Sequence, residues 1–179
     1  MSGTAIFCSG QGGKGPRMFD LVATEAAAAP VFAAAAAVLG RDPRDLAASG
    51  DDLYRNAVAQ VLCCTAALAA WAVVGTAVAR PLTVAGYSVG EVPAWAVAGV
   101  IDAPATFDLV ARRAALMDRE TREPAGLAAI LGLPRPAVDA LCRDHRLAVA
   151  IVNGPLHVVV GGAAADIDAA LGEAPSRGA

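Results

Sequence analysis

The sequence predicts an α/β protein with a larger N-terminal unit and a small C-terminal unit. Short apolar segments that end in turn residues alternate with longer apolar segments of helical length, which is typical of strands and helices in one chain. Hydrophobic residues make up 56% of the 179 residues, and aromatic residues only 4%. Much of this apolar content is alanine, which favours helices. The composition therefore indicates a helix-rich α/β fold whose core is packed from small side chains.

Breaker and capping residues set the predicted elements of the N-terminal unit, which we assign to residues 1–124. Pro30 interrupts the helical pattern that follows the first glycine-rich loop, and Pro81 ends the longest apolar segment. Asp102 can cap the last helix, with Pro104 in its first turn. The predicted elements are strand 4–8, helical pattern up to residue 39, a loop with room for one helical turn over 41–52, helix 53–79, strand 82–85, a helix up to residue 98, and a helix from Asp102 to about residue 121.

The C-terminal unit, residues 125–172, has the element order βαββα. A ferredoxin-like unit has the order βαββαβ, so this unit stops one strand short of it. The tail 173–179 is rich in small and breaker residues and is not expected to supply that strand. We therefore expect a ferredoxin-like subdomain in a chain that ends before its architecture is complete. The predicted elements are strand 127–131, helix 136–144, strand 147–152, a turn at 153–155, strand 157–160 and helix 164–171.

Charge and cysteine content exclude several kinds of partner and site. The formal net charge is -3 and no run of Lys and Arg occurs, so nucleic acid is not an expected partner. The four cysteines include no C-x-x-C pair, which argues against a disulfide framework and against a metal site. Reduced thiols and an N-terminus without the pattern of a signal peptide predict a cytoplasmic protein. The cysteines are Cys8, Cys63, Cys64 and Cys142.

One segment, 57–79, is long enough to cross a bilayer. It contains no charged residue and is flanked by Arg55 and Arg80. It is also rich in alanine and contains Gln60 and Thr65. A helix that is apolar on all sides lies either in a membrane or in a protein core, and this composition favours the core. We therefore expect a buried helix and no membrane partner.

The strongest sequence signal is the G-x-S-x-G motif of Gly86–Gly90, which lies between a predicted strand and a predicted helix. In this setting the serine occupies a strained turn that exposes its hydroxyl, and the glycines let strand and helix approach closely. Small-residue runs also contain this motif by chance, but the β-branched strand before it and Glu91 after it favour a nucleophile. Ser88 is therefore the predicted nucleophile, and the N–H of Val89 at the helix N-terminus would bind an oxyanion.

The glycine-rich loop Gly10–Gly15 matches G-x-G-x-x-G, which is a dinucleotide fingerprint in another setting. That interpretation needs a second strand ending in an acidic residue about 20 positions later, whereas the chain has an alanine-rich helical segment there. Lys14 is not followed by Ser or Thr, so the loop is not a Walker A motif either. A dinucleotide-binding module stays as an alternative. The preferred interpretation is that this loop lies beside the elbow and donates a second N–H to the oxyanion.

Five ordered segments resemble the malonyl-CoA:acyl-carrier-protein transacylase family. They cover the whole chain, and their order is more specific than any one of them. The tyrosine before Ser88, where the family usually has histidine, resembles the epsilon subunit of malonate decarboxylase. The segments are Phe7–Gly12 with Met18 downstream (family F-P-G-Q-G…M), Gln60 (T-Q-P-A-L), Gly86–Glu91 (G-H-S-x-G-E), Arg113–Met117 (R-G-x-x-M) and Asn153–Gly162 (N-S-P-x-Q-x-V-I-A-G).

The resemblance implies a hydrolase-like serine acyltransferase core that carries the ferredoxin-like subdomain. It also implies a reaction in which Ser88 takes a malonyl group from malonyl-CoA and passes it to the phosphopantetheine thiol of an acyl carrier protein. Malonyl-CoA is then a substrate, and no bound cofactor or metal is expected. The N–H groups of Val89 and Gln11 would form the oxyanion hole.

Further residues would bind the substrate by the same resemblance. Arg113 would clamp the free carboxylate of the malonyl group and so select malonyl over acetyl. A solvated helix arginine is the alternative, which fits its neighbour Arg112. Gln60, Met117 and Asn153 are the remaining candidates for substrate binding.

The general base has no clear candidate, since His145 and His157 are the two histidines and neither matches the family's catalytic histidine. Serine without a base is a poor nucleophile. Three alternatives to an active transacylase therefore stay open: a catalytically incomplete fragment of the family, a serine esterase or thioesterase, and the dinucleotide-binding module. The carboxylate clamp argues against the esterase, since a hydrolase has no need of it.

Overall fold

The computed structural model describes residues 3–12, 14–80, 82–121 and 124–179, and these form two compact units, Met1–Arg119 and Glu120–Ala179. The predicted boundary after residue 124 lies five residues beyond this division. The α/β fold class is confirmed. The first unit contains β1 (Thr4–Cys8), α1 (Ala29–Leu39), α2 (Pro43–Ser49), α3 (Asn56–Val74), β2 (Leu82–Gly86), α4 (Glu91–Val97) and α5 (Ala103–Glu120, whose last residue lies past the division).

The two strands of the first unit are parallel, with Cys8 of β1 opposite Gly86 of β2. Both strands therefore end at the same edge of the sheet. The loop after β1 and the turn after β2 both leave from that edge, which in α/β proteins is where ligands bind. This register brings the two predicted motifs of the N-terminal unit together.

Helix α3 forms the centre of the first unit's core. Nine of its residues are buried, and it packs against α1 and α4. Within the part of the chain that the structure describes, α3 is the one helix long and apolar enough to span a membrane by length and composition. Half of its apolar window is buried inside the protein, so packing accounts for its apolar character. The prediction of a buried core helix is confirmed.

Three predicted element bounds in the first unit are wrong. Pro30 does not interrupt α1 but lies in its first turn, because proline is tolerated where the N–H needs no partner. Segment 41–52 contains the helix α2, which Asp42 caps by accepting from the N–H of Arg44 at 2.8 Å. Helix α3 is shorter than predicted and ends before Gly75. Pro81, which was expected to end it, lies outside the described residues.

Helix α5, which comes after α4, is capped as predicted. Asp102 accepts from the N–H of Ala105 at 2.8 Å, and α5 then runs for 18 residues.

The second unit is a three-stranded antiparallel sheet with helices on one side, in the predicted order βαββα. The strand order is β3-β5-β4, so the last strand lies between the other two, as in a split βαβ arrangement. Ile130, Val158 and Val160 of the sheet pack with Val138 and Ile167 of the helices. The elements are β3 (Ala125–Leu131), α6 (Arg135–Asp144), β4 (Ala148–Gly154), β5 (His157–Ala163) and α7 (Ala164–Glu173).

The tail supplies no further strand, as predicted, but it is not irregular. Ala174–Arg177 form a 3-10 helix, and Arg177 pairs with Glu173 at 2.5 Å and with Asp144 at 2.6 Å. The hydrogen bonds that Glu173 accepts from Arg177 and, secondly, from His145 hold its pKa below the usual value. The charged side chains thus anchor a segment whose composition indicates only turns.

Candidate active site

Ser88 occupies a strained backbone conformation at the start of the turn that follows β2. Its φ is +55°, in the left-handed region that residues other than glycine rarely adopt. Such a conformation costs about 1–2 kcal/mol and persists only where the surrounding structure enforces it. A short 3-10 helix, Ser88–Gly90, then leads directly into α4. This is the strand–turn–helix geometry expected of a nucleophile elbow.

Two glycines permit the close backbone contacts that enforce this turn. A Cβ on Gly86 would lie 2.2 Å from the carbonyl oxygen of Gly90, and one on Gly90 would lie 2.2 Å from that of Cys8. The N–H of Tyr87 also donates to the carbonyl of Cys8 at 3.0 Å. The elbow is thus pressed against the end of β1, with no room for side chains between the two backbones.

The first glycine-rich loop lies beside the elbow, as predicted. A Cβ on Gly10 would lie 3.5 Å from the Cβ of Ser88 and 2.9 Å from Cδ1 of Tyr87. Gly13 of the same motif lies outside the described residues. Residues 16–24 form turns, and the first α-helix begins only at Ala29. The loop therefore lacks the directly following helix whose N-terminus binds the pyrophosphate in dinucleotide-binding proteins.

Cys63 holds this loop in place, a contact that the sequence interpretation missed. Its thiol donates to the carbonyl of Gly10 with an Sγ···O distance of 3.0 Å. Burial raises the pKa of Cys8, Cys63 and Cys64 above the usual thiol value. These thiols therefore stay protonated at neutral pH, and a thiol is a much weaker nucleophile than a thiolate.

Gln60, Arg113 and Met117, three of the predicted substrate-binding residues, meet between α3 and α5. Gln60 is fully buried, and its Oε1 accepts from Nη1 of Arg113 at 2.5 Å. Its Nε2 lies 3.3 Å from Sδ of Met117. Arg112 is exposed and pairs with Asp108 at 3.0 Å, and it lines the same hollow as Arg113 without a bond to Gln60. The two neighbouring arginines thus have different surroundings.

A mostly apolar hollow of about 460 Å³ opens beside Arg113. Val92 of α4 lines it together with Leu109, Leu116 and Met117 of α5. Val92 lies four residues after Ser88, so the helix of the elbow and the helix of Arg113 face the same space. A guanidinium at the side of an apolar hollow suits a small acyl group that carries a carboxylate.

Asn56 and Asp118 extend this polar group and were also missed by the sequence interpretation. Asn56 is the first residue of α3, and its Nδ2 donates to Oδ1 of Asp118 at 2.6 Å. Its Oδ1 accepts from Nε2 of Gln11 at 3.3 Å. The sequence did contain one signal for Asn56. It precedes Gln60 by four residues and so lies one helical turn away on the same face.

The remaining predicted residues lie in the second unit, where each has a partner of its own. Nε2 of His145 lies 2.7 Å from Oε2 of Glu173, in an ion pair when the histidine is protonated. At the hairpin between β4 and β5, Nδ2 of Asn153 lies 3.3 Å from Nε2 of His157. Across the described parts of the chain, no three His, Cys, Asp or Glu side chains are grouped to hold a metal ion.

Comparison with models of protein families shows the family to which this chain belongs. The profile of the acyl transferase domain matches residues 6–178. The chain belongs to the acyl transferase domain family. The predicted resemblance is thereby confirmed, and the elbow, the first loop and the arginine helix all lie within the matched acyl transferase region.

This acyl transferase chain is similar to malonyl transferases in sequence and in structure. The malonyl CoA-acyl carrier protein transacylase of Mycolicibacterium smegmatis is 39% identical over 95 residues, which cover 52% of this chain and 33% of that protein. The acyl-carrier-protein S-malonyltransferase of Burkholderia pseudomallei has a similar structure, with a TM-score of 0.85 and 31% identity over 99% of this chain.

A third similar protein is a malonyl-transacylase solved in complex with a type II polyketide synthase acyl-carrier protein. It matches 99% of this chain with a TM-score of 0.86 and 27% identity. This acyl transferase chain spans about 60% of the length of each of the two solved proteins.

Replacing Gly90 by Ala is expected to disrupt the elbow, because the new Cβ would overlap the carbonyl oxygens of Cys8 and Ser9. We expect a loss of about 3 kcal/mol in the free energy of unfolding, measured by urea unfolding followed by circular dichroism. The matched control is Gly172→Ala in α7, where the Cβ meets nothing within 4 Å and a small stabilisation is expected. Equal stability of the two variants would contradict the close contact.

Proposed function

We propose that this chain transfers a malonyl group from malonyl-CoA to the phosphopantetheine thiol of an acyl carrier protein. The observation that carries the proposal is the pairing of a strained serine with a positioned arginine: Ser88 stands at the elbow, and Arg113 is bonded to buried Gln60 beside the hollow that the elbow helix also lines. A nucleophile alone would suit any acyl transfer. The arginine adds a preference for an acyl group with a free carboxylate.

In the proposed reaction, Oγ of Ser88 attacks the thioester carbon of malonyl-CoA. The tetrahedral oxyanion is stabilised by the N–H groups of Val89 and Gln11, and the coenzyme A thiolate then leaves. The N–H of Val89 is suited to this because it lies in the first turn after the elbow, where helical N–H groups lack partners within the helix. Gln11 follows Gly10, which packs against Ser88.

The carrier's thiol next attacks the malonyl-serine ester and releases Ser88. The proton of Ser88 is taken up by a general base that we do not assign to His145 or His157, since both are engaged within the second unit. No bound cofactor or metal takes part in this scheme.

Arg113 would bind the malonyl carboxylate with the N–H groups that Gln60 leaves unused. Acetyl-CoA would leave this guanidinium without its anion, which costs binding free energy. Met117 contacts the amide of Gln60, so it would pack against the acyl group at the same place. Asn153 is also a proposed substrate contact, and its only support is the resemblance of its segment to the transacylase family. The clamp argues against a simple esterase, since hydrolysis needs no recognition of a carboxylate.

An acyl carrier protein is the proposed acceptor, supported by the similar malonyl-transacylase that was solved with its carrier. As to which carrier, we propose that of a malonate decarboxylase system. The support is Tyr87, which stands where the family usually has histidine and whose ring packs against Gly10 of the first loop. A carrier of fatty acid or polyketide synthesis is the alternative. Malonyl transfer as such does not depend on this choice.

Incubation with malonyl-CoA is expected to add the mass of one malonyl group to the protein, and Ser88→Ala is expected to abolish the addition. The measurement is intact mass spectrometry followed by peptide mapping. Cys63→Ser serves as the control because its hydroxyl still donates to Gly10 while the thiol is removed. Persistence of the adduct in Ser88→Ala, or its complete absence from the unaltered chain, would argue against the proposed serine ester.

Arg113→Ala is expected to reduce the preference for malonyl-CoA over acetyl-CoA by about 100-fold, since the charged contact to the carboxylate is lost. The preference is the ratio of the initial acylation rates of Ser88. Arg112→Ala is the comparison variant, because that arginine carries the same charge and also lines the hollow, but it is held by exposed Asp108 and not by buried Gln60. A similar change in both variants would assign the selectivity to general charge rather than to the clamp.

The choice of carrier can be tested by offering the malonyl-loaded protein two acyl carrier proteins, one of malonate decarboxylase and one of a type II polyketide synthase. We expect faster loading of the former, followed as the mass of each carrier. Tyr87→His is expected to narrow the difference, because it restores the usual residue of the family. Faster loading of the polyketide synthase carrier would overturn this choice while leaving malonyl transfer intact.

A further inference from the structure

We propose that Asn56 and Asp118 are positioning residues that orient Arg113 through a chain of side-chain hydrogen bonds with a single direction. This inference rests on the proposed function, in which Arg113 binds the malonyl carboxylate. It adds two residues outside the predicted site, and it explains why the guanidinium is presented to the hollow in one orientation.

The chain runs from Arg113 across α3 and back to α5. Nη1 of Arg113 donates to Oε1 of Gln60 at 2.5 Å, and Nε2 of Gln60 donates to Oδ1 of Asn56 at 3.5 Å. Nδ2 of Asn56 then donates to Oδ1 of Asp118 at 2.6 Å. The chain thus begins and ends on the same helix, five residues apart, and its two amides lie one turn apart on α3.

The two ends of the chain fix its direction. A guanidinium only donates hydrogen bonds, and a carboxylate only accepts them. If the amide of Gln60 were reversed, its NH₂ group would face the N–H groups of Arg113. If that of Asn56 were reversed, its carbonyl would face the carboxylate of Asp118. Each amide therefore has one allowed orientation, and both end bonds are charge-assisted.

Asn56 also connects the arginine to the other half of the proposed site. Its Oδ1 accepts from Nε2 of Gln11 as well as from Gln60. Gln11 belongs to the loop whose N–H is proposed to bind the oxyanion. One amide oxygen thus receives the side chains of both the carboxylate site and the oxyanion loop, and its position is fixed by Asp118.

A purely structural role for Asn56 and Asp118 predicts a different outcome. If the bond between Asn56 and Asp118 merely joins α3 to α5, its loss would lower stability and leave acyl selectivity unchanged. A positioning role predicts that selectivity follows the direction of the chain. Exchange of the carboxylate and the amide between the two positions separates these roles.

The experiment compares Asn56→Asp, Asp118→Asn and the double exchange. In Asn56→Asp alone, two carboxylates face each other, and the malonyl-to-acetyl ratio of acylation rates is expected to fall about three- to tenfold, as for the loss of one hydrogen bond. Asp118→Asn alone removes the fixed acceptor at the end of the chain, and a smaller fall is expected. In the double exchange, the new amide donates to the new carboxylate, which still accepts from Gln60 and Gln11, so the ratio is expected to recover.

Asp108→Asn is the matched control, because that exposed carboxylate lies on the same helix and pairs with Arg112, outside the chain of bonds from Arg113 to Asp118. It is expected to leave the ratio unchanged. A fall in both single variants without recovery in the double exchange, or an equal fall in Asp108→Asn, would overturn the proposal. An unchanged ratio in Asn56→Asp would overturn it as well.

A second measurement does not require acyl transfer. In the ligand-free protein, the ¹⁵N side-chain resonances of Arg113 report how freely its guanidinium rotates. We expect faster rotation in Asn56→Asp and recovery in the double exchange; unchanged rotation in Asn56→Asp would overturn the proposal. If the unaltered chain forms no malonyl adduct, the proposed function fails, and this measurement alone decides whether Asn56 and Asp118 position Arg113.

Discussion

The site depends on a direct backbone contact between the end of β1 and the turn after β2. Gly90 lies so close to the carbonyls of Cys8 and Ser9 that no side chain fits between them, and Gly86 lies equally close to the first turn of α4. The parallel register, with Cys8 opposite Gly86, brings these segments to one edge of the sheet. This contact compels Ser88 to keep a positive φ, because the turn is held on both sides. The same contact places Gly10 against Ser88, so one constraint positions both the nucleophile and the loop beside it.

The second determinant is a polar residue in an otherwise apolar core helix. Gln60 is fully buried in α3, and a buried amide without partners is costly. Its oxygen is satisfied by Arg113, while its nitrogen faces Asn56 and Met117. Arg113 is thereby held at the wall of the hollow by a buried partner, whereas neighbouring Arg112, which also lines the hollow, pairs with exposed Asp108. The burial of Gln60 thus gives Arg113 a hydrogen-bond partner that Arg112 does not share.

Sequence patterns predicted the parts of the fold that local interactions determine. The strands at Thr4–Cys8 and Leu82–Gly86 and the elbow between strand and helix have short-range signatures of residue type and spacing. The prediction was wrong at α2, and it did not foresee the 3-10 helix of the tail that Arg177 anchors. It also missed Asp118, whose bond to Asn56 joins residues 62 positions apart. A single sequence carries no local signal for such a pair, since each residue alone resembles an ordinary polar residue at a helix end.

In the proposed reaction, selection of the acyl group and activation of the serine are separable. The first unit contains Ser88, the loop of Gln11 and Arg113, which are the groups proposed to recognise a carboxylate and to stabilise a tetrahedral intermediate. It contains no histidine, since both lie beyond residue 119. The helix N-terminus after Ser88 stabilises negative charge but does not accept a proton. The first unit thus contains the groups proposed to select the acyl group, and this part of the proposal does not depend on which group accepts the proton of Ser88.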